Sequence, residues 1–123
     1  MASIKSANTK PELAVRRILW DLGYRYRLHV SGLAGRPDIV MRARRLVIFV
    51  HGCLWHLHDS CALVRVPQSR PHYWPGKLAR NKARDARNVS ELERDGWRVV
   101  VIWECETRNP DLLASRLREA LRV

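Results

Sequence analysis

No apolar run in this chain approaches the length that a bilayer span requires, and its N-terminus carries no hydrophobic stretch of the signal-peptide kind. Both absences lead to the expectation of a cytoplasmic protein. Cysteine is sparse: three residues, which in a reducing compartment are better read as thiols or metal ligands than as one disulfide plus an orphan. Acids are sparse too, 12 Asp+Glu against 23 Lys+Arg. No segment pairs a basic helical face with a bulky apolar one, which argues against an anionic membrane surface as the partner. Internal repeats and low-complexity segments are missing, and a hydrophobic content of 46% excludes a disordered tail. At 123 residues the chain suits one domain, residues 1–123, with 1–8 as a flexible arm.

The formal net charge is +11. Such an excess concentrates polyanions and favours nucleic acid, although a basic protein kept in solution by its charge would look similar. The surplus is spread widely. The first 45 residues hold ten basic residues against Glu12, Asp21 and Asp38.

Asn8-Thr9, Pro11 and Glu12 open an amphipathic helix that buries Val15, Ile18, Leu19 and Leu22 and ends at Gly23. Tyr24 to Val30 alternates as a strand, Gly32 to Pro37 is a turn, and Asp38 to Met41 forms a second strand. Arg42 to Arg45 is a basic hairpin turn into the buried run Leu46-Val47-Ile48-Phe49-Val50. Pro67, Pro71 and Pro75 mark an irregular loop that also holds Trp55 and Trp74 at its two ends. Gly76 to Asp95 reads as a charged helix with Leu78, Val89 and Leu92 inward. Trp97 to Trp103 is a further buried strand, and Pro110 to Leu121 a last helix. This order predicts an α/β fold, a mixed sheet with helices on both faces.

Residues 51–61 concentrate three of the five histidines and two of the three cysteines immediately after a buried strand. Zinc in a structural role takes four Cys or His ligands in a closed tetrahedron. Cys53, His58 and Cys61 lie close enough to wrap one ion. Cys105 completes the set if the two long buried strands run parallel and end together. The alternative is three small buried hydrophobes beside a solvated histidine loop. His51 and His56 are left over as proton-moving groups, and Glu12 could orient one of them if the first helix packs at the sheet edge. Asp38 opens its strand, where an aspartate is often only a turn residue. If that strand pairs antiparallel with the next, Asp38 meets the Val50 carbonyl and the two offer oxygens to Mg²⁺. Lys77, Asn81, Arg84 and Asp85 share one helical face, which could follow a phosphate backbone or simply face solvent. Trp55 and Trp74 could wedge into a base step or cap the core.

Taken together, several motifs resemble the very-short-patch-repair (Vsr) DNA mismatch endonucleases. These are Asn8-Thr9-Lys10-Pro11-Glu12-Leu13, Gly35-Arg36-Pro37-Asp38, Val47-Ile48-Phe49-Val50-His51-Gly52-Cys53, Trp55-His56, Trp74 with Lys77 and Asn81, Gly96-Trp97-Arg98-Val99 and Trp103-Glu104-Cys105. They span nearly the whole chain. The resemblance implies a restriction-endonuclease-like fold with structural Zn²⁺, and a Mg²⁺-dependent nick on the 5′ side of the thymine in a T·G mismatch, the product of 5-methylcytosine deamination. It implies Asp38 as the Mg²⁺ carboxylate with Val50 beside it, His51 and His56 as catalytic histidines, and Glu12 as their supporting acid. Cys53, His58, Cys61 and Cys105 match the zinc ligands. Leu54, Trp55 and Trp74 match a wedge that enters the duplex, with Lys77, Asn81 and Arg84 as further DNA contacts. The partners implied are double-stranded DNA and mismatch-repair proteins, for a monomer associated with a bacterial nucleoid. A DNA-binding module without catalysis and a nicking nuclease of other selectivity are the competing readings.

This chain departs from the family pattern in four places. Val50 stands where threonine is usual, which keeps a backbone carbonyl and loses a hydroxyl. Leu54 stands where phenylalanine is usual, one extra residue lies between His58 and Cys61, and the arm before Asn8 is short.

Overall fold

The computed structural model describes residues 8–54, 56, 58, 61 and 73–122. Helix α1 (Lys10–Asp21) starts where Thr9 caps it, its hydroxyl accepting the Glu12 N–H, with proline in the first turn. Asn8, expected to belong to an arm, is tied to this start: its N–H donates to Glu12 Oε1 at 3.1 Å and its side-chain oxygen accepts from Arg16 at 2.7 Å. The rest of that expected arm, residues 1–7, lies outside the described residues.

Four strands form one sheet in the order β1 (Arg27–Leu28), β2 (Ile39–Met41), β3 (Leu46–His51), β4 (Arg98–Trp103). The first two pairings are antiparallel and β3–β4 is parallel, with Val50 opposite Ile102 and His51 opposite Trp103. Side chains alternate across a strand, so β3 feeds two cores. Leu46 and Ile48 pack with Val15 and Leu19 of α1 and with Leu113 and Leu117 of α3 (Pro110–Ala120). Val47 and Phe49 pack on the other face with Leu92 of α2 (Trp74–Arg94) and with Trp97. Burial on both faces explains why β3 reads as an unbroken apolar run.

Two local expectations are corrected, while the hairpin turn expected over Arg42–Arg45 holds. The strand expected over Tyr24–Val30 contracts to Arg27–Leu28, because His29 turns into the left-handed region at φ 46° and leaves the ladder. The turn after β2 is a 3-10 segment, Arg42–Arg44, closed by Arg45 at φ 52°. Helix α2 starts at Trp74, so Pro75 and Trp74 belong to its first turn and not to an irregular loop. Proline is tolerated there because the first N–H groups of a helix have no intrahelical acceptor. A second 3-10 segment, Glu104–Arg108, follows β4. Among the described residues no helix is long and apolar enough to cross a membrane.

Candidate active site and metal centres

Parallel pairing brings the ends of β3 and β4 together, which places Cys53 beside Cys105. The Cys105 N–H points at Cys53 Sγ, 3.4 Å away, and the Cys53 N–H donates to Glu104 Oε1 at 3.3 Å. His58 Nδ1 sits 3.6 Å from Cys53 Sγ and 3.4 Å from Cys105 Sγ. With Cys61, the four donor atoms all lie within 4.8 Å of one another. A tetrahedral zinc with bonds of about 2.0–2.3 Å sets donors roughly 3.3–3.8 Å apart, so this quartet fits the ion in type and spacing. Burial pushes the Cys53 thiol up to about 12, and the crowded neighbouring thiols add to it; burial raises Cys105 as well. A bound cation would reverse both shifts by favouring thiolate. The ring of His58 stacks on Trp103 at 4.2 Å.

Asp38 lies at the head of β2, after a turn in which Gly35 and Arg36 both have positive φ. Its Oδ2 accepts the Val50 N–H at 2.7 Å, the cross-strand meeting expected of antiparallel β2 and β3. The other oxygen has no hydrogen-bond partner among the described residues, and Asp38 lines a cleft. Burial raises this carboxyl to about 6, against the Val50 hydrogen bond, and the charge of Glu12 raises it further. A hard-oxygen donor short of compensating charge and lining a cleft suits Mg²⁺.

Glu12 is 1% exposed and fully engaged. Its Oε1 accepts from the Asn8 N–H, and its Oε2 faces His29 Nε2 at 2.8 Å and Arg16 at 3.3 Å. The histidine it holds is therefore His29, not His51 or His56. Glu12, His29 and Asp38 have ligand atoms within 4.8 Å of one another.

His51, at the end of β3, is buried and its ring lies parallel to His56 at 3.8 Å. Burial, with the charge of His56, lowers the His51 pKa to about 4 against an opposing effect of Asp85, so its imidazole is neutral at pH 7. His56 Nδ1 contacts Asp85 Oδ2 directly. Asp85 is thus the carboxylate that serves the histidine pair. The sequence shows it only as part of a charged helical face; the feature that would find it, a carboxylate in reach of an imidazole, depends on how α2 crosses the sheet. His29 gives no sequence signal beyond a lone histidine in an alternating segment.

Asp38, Val50, His51, His56 and Asp85 line one open cleft of about 1370 Å³, along with Glu12, Lys77, Asn81 and Arg84. The α2 face read from the sequence thus borders Asp38 and the histidine pair. Leu54 and Trp74 are half-buried and lie outside the cleft lining. Trp55, the remaining residue of the expected wedge, lies outside the described residues.

Residues 1–63 match the family model described as DNA mismatch endonuclease Vsr. A type II nicking enzyme of Xanthomonas oryzae, V.XorIIP, is 50% identical over 98% of this chain and 88% of its own length. The DNA mismatch endonuclease Vsr of Escherichia coli is 40% identical over 94% of this chain and 73% of its own. Among solved structures, the catalytic domain of the homing endonuclease I-Bth0305I superposes with a TM-score of 0.62 at 22% identity, covering 92% of this chain and 94% of that one. That likeness concerns the fold, a restriction-endonuclease-like mixed sheet between helices. With a family match over half of its residues and such relatives over almost all of them, the chain belongs to the DNA mismatch endonuclease Vsr family.

Proposed function

We propose that this chain is a Mg²⁺-dependent endonuclease that nicks one strand of duplex DNA on the 5′ side of the thymine in a T·G mismatch, in repair of deaminated 5-methylcytosine. One observation carries the proposal. The Asp38 carboxylate, the His51–His56 stack and Asp85 share a single cleft with the basic and amide side chains of α2. Mg²⁺ held by Asp38 and the Val50 carbonyl would supply Lewis-acid polarisation of the scissile phosphate.

The remaining chemistry falls to side chains. Asp85 accepts from His56 Nδ1–H, which leaves Nε2 as the proton acceptor for an attacking water or, once protonated, the donor to the departing oxygen. His51 stays neutral and buries one face of that ring, restricting its rotation. Lys77 and Arg84 answer the phosphate charge, and Asn81 adds a hydrogen-bonding amide. Leu54, Trp55 and Trp74 form the wedge that unstacks the mismatched step. Cys53, His58, Cys61 and Cys105 hold a structural zinc beside the reaction centre. In this reading the protein is a single-domain monomer of the bacterial cytoplasm, associated with the nucleoid, with mismatch-repair proteins as its partners.

A strand-nicking assay on T·G and fully paired duplexes, with and without Mg²⁺, tests the proposal. It expects a single Mg²⁺-dependent nick in the mismatched duplex. Equal nicking of both duplexes would favour a nicking nuclease of other selectivity, a reading that the nicking-enzyme names of several relatives support. Salt-dependent binding without any nick in Mg²⁺ or Mn²⁺ would leave a DNA-binding module.

A further inference from the structure

Two acids line the cleft side by side, yet only Asp38 has an oxygen without a hydrogen-bond partner among the described residues. Glu12 comes from α1 and Asp38 from the head of β2; His29, between them in sequence, touches both. Its backbone N–H donates to the Asp38 carbonyl at 3.1 Å, while its Nε2 lies 2.8 Å from Glu12 Oε2. Arg36 Nε donates in turn to the His29 carbonyl at 3.3 Å. To make these contacts at once His29 adopts φ 46°, a conformation uncommon for a residue with a Cβ and frequent where function constrains the backbone. The imidazole is 18% exposed and the carboxylate it faces is 2% exposed.

We infer that His29 is a positioning residue of the cation-binding corner: by occupying Glu12 Oε2 it keeps that carboxylate from becoming a second ligand, so that a divalent ion settles on Asp38. The inference rests on reading Asp38 as the cation carboxylate. Removing the imidazole leaves Glu12 Oε2 held by Arg16 alone, at 3.3 Å, and its neighbours within 4.8 Å include the Asp38 donor atom. The corner then presents two carboxylates. It binds a cation more tightly and in the wrong place, so affinity and turnover move in opposite directions. A role confined to fastening β1 to α1 gives no such opposition.

The test compares wild type, His29→Ala and His29→Gln, full-length and zinc-replete. Gln places an amide N–H near the position of imidazole Nε2. Mn²⁺ binding to the free protein is followed by electron paramagnetic resonance. Single-turnover nicking at saturating Mg²⁺, duplex affinity without divalent ion and melting temperature complete the set. His29→Ala should bind Mn²⁺ several-fold more tightly and nick about tenfold more slowly, with duplex affinity unchanged. His29→Gln should restore both quantities. Mn²⁺ binding to His29→Ala that equals or falls below wild type overturns the inference. So does a Gln variant that shares the Ala defects together with a common loss of melting temperature. If the wild type nicks no duplex while the Mn²⁺ signature holds, the proposed activity fails and the positioning role stands.

Discussion

Asp85→Asn is the sharpest perturbation of the proposed chemistry, because it keeps the shape of the side chain and changes only what it offers His56. A carboxylate accepts from Nδ1–H; an amide can instead donate to Nδ1, which moves the imidazole proton to Nε2 and blocks that atom as an acceptor. Both side chains are partly open to solvent, 25% exposed for His56 and 20% for Asp85, so loss of the ion-pair attraction alone would cost under about 1 kcal/mol. Loss of a positioned general base costs on the order of 10²–10⁴ in rate, about 3–5 kcal/mol of barrier. The rate effect must therefore dominate the stability effect. Single-turnover nicking of a T·G duplex should fall about a thousandfold with the melting temperature nearly unchanged. Duplex affinity measured without Mg²⁺ should stay level or tighten, since one negative charge leaves a cleft that faces phosphates. Nicking within about tenfold of wild type would refute the assignment of His56 as the proton-moving group.

Three further outcomes follow from the geometry. The purified protein should contain about one zinc per chain, and Cys105→Ser should cost about 3 kcal/mol or more, read as a drop of roughly 10 °C in melting temperature; unchanged melting together with no zinc would refute the quartet. Asp38, whose carboxyl is raised to about 6 from an ordinary 3.8, binds its proton more tightly in the folded chain, so its contribution to stability is present below about pH 4 and lost as pH rises through about 6. Without added divalent ion, Asp38→Asn should therefore gain on the wild type by on the order of 1–2 kcal/mol between about pH 4.5 and 7.5, a figure reduced for solvent at the half-buried carboxyl, and a pH-independent difference in melting would refute it. Gly35→Ala should destabilise by at least about 1 kcal/mol in denaturant titration. Gly35 has φ 74°, and a Cβ there would lie 2.9 Å from Asn88 Nδ2; an unchanged midpoint would show that the turn relaxes freely.

Strands β3 and β4 were legible because both are unbroken apolar runs rich in β-branched residues; β3 is buried on both faces, whereas β4 alternates buried Val100 and Ile102 with half-buried neighbours. The Cys53, His58, Cys61, Cys105 cluster was legible only conditionally, since it needed a parallel pairing that residue order does not dictate. Strand β1 was overestimated because Tyr24-Arg25-Tyr26-Arg27-Leu28-His29-Val30 alternates well, whereas the backbone at His29 is bent by contacts to Asp38 and Glu12 from elsewhere in the chain. Asp85 was visible as a member of the right helical face and invisible as a partner of His56. Periodicity reports which residues share a face, not what that face meets. The role expected of Glu12 was displaced for the same reason: the first helix does pack on the sheet, against Leu46 and Ile48 of β3 among others, but the imidazole its Glu12 meets there is His29.

The Cys53, His58, Cys61, Cys105 quartet and the histidine pair are linked through Trp103. Its ring stacks on His58 at 4.2 Å and meets the edge of His51 at 5.3 Å, and His51 in turn stacks on His56. The backbone between them is equally short of slack: the His56 N–H donates to the Gly52 carbonyl at 3.2 Å and the His58 N–H to the Cys53 carbonyl at 2.9 Å. Cys53 and His58 thus bracket His56, so an ion clasped by the quartet removes freedom from the very turn that presents His56 to Asp85. Loop residues are entropically expensive to hold, about 1–2 kcal/mol per residue for the backbone alone. A reactive imidazole on such a loop can keep its geometry only if something fastens the loop on both sides. Under the proposed function the fastening would be an ion on one side and a parallel strand pair on the other. On that proposal, histidines and cysteines are interleaved over so few residues because the ligands flank the base they would immobilise.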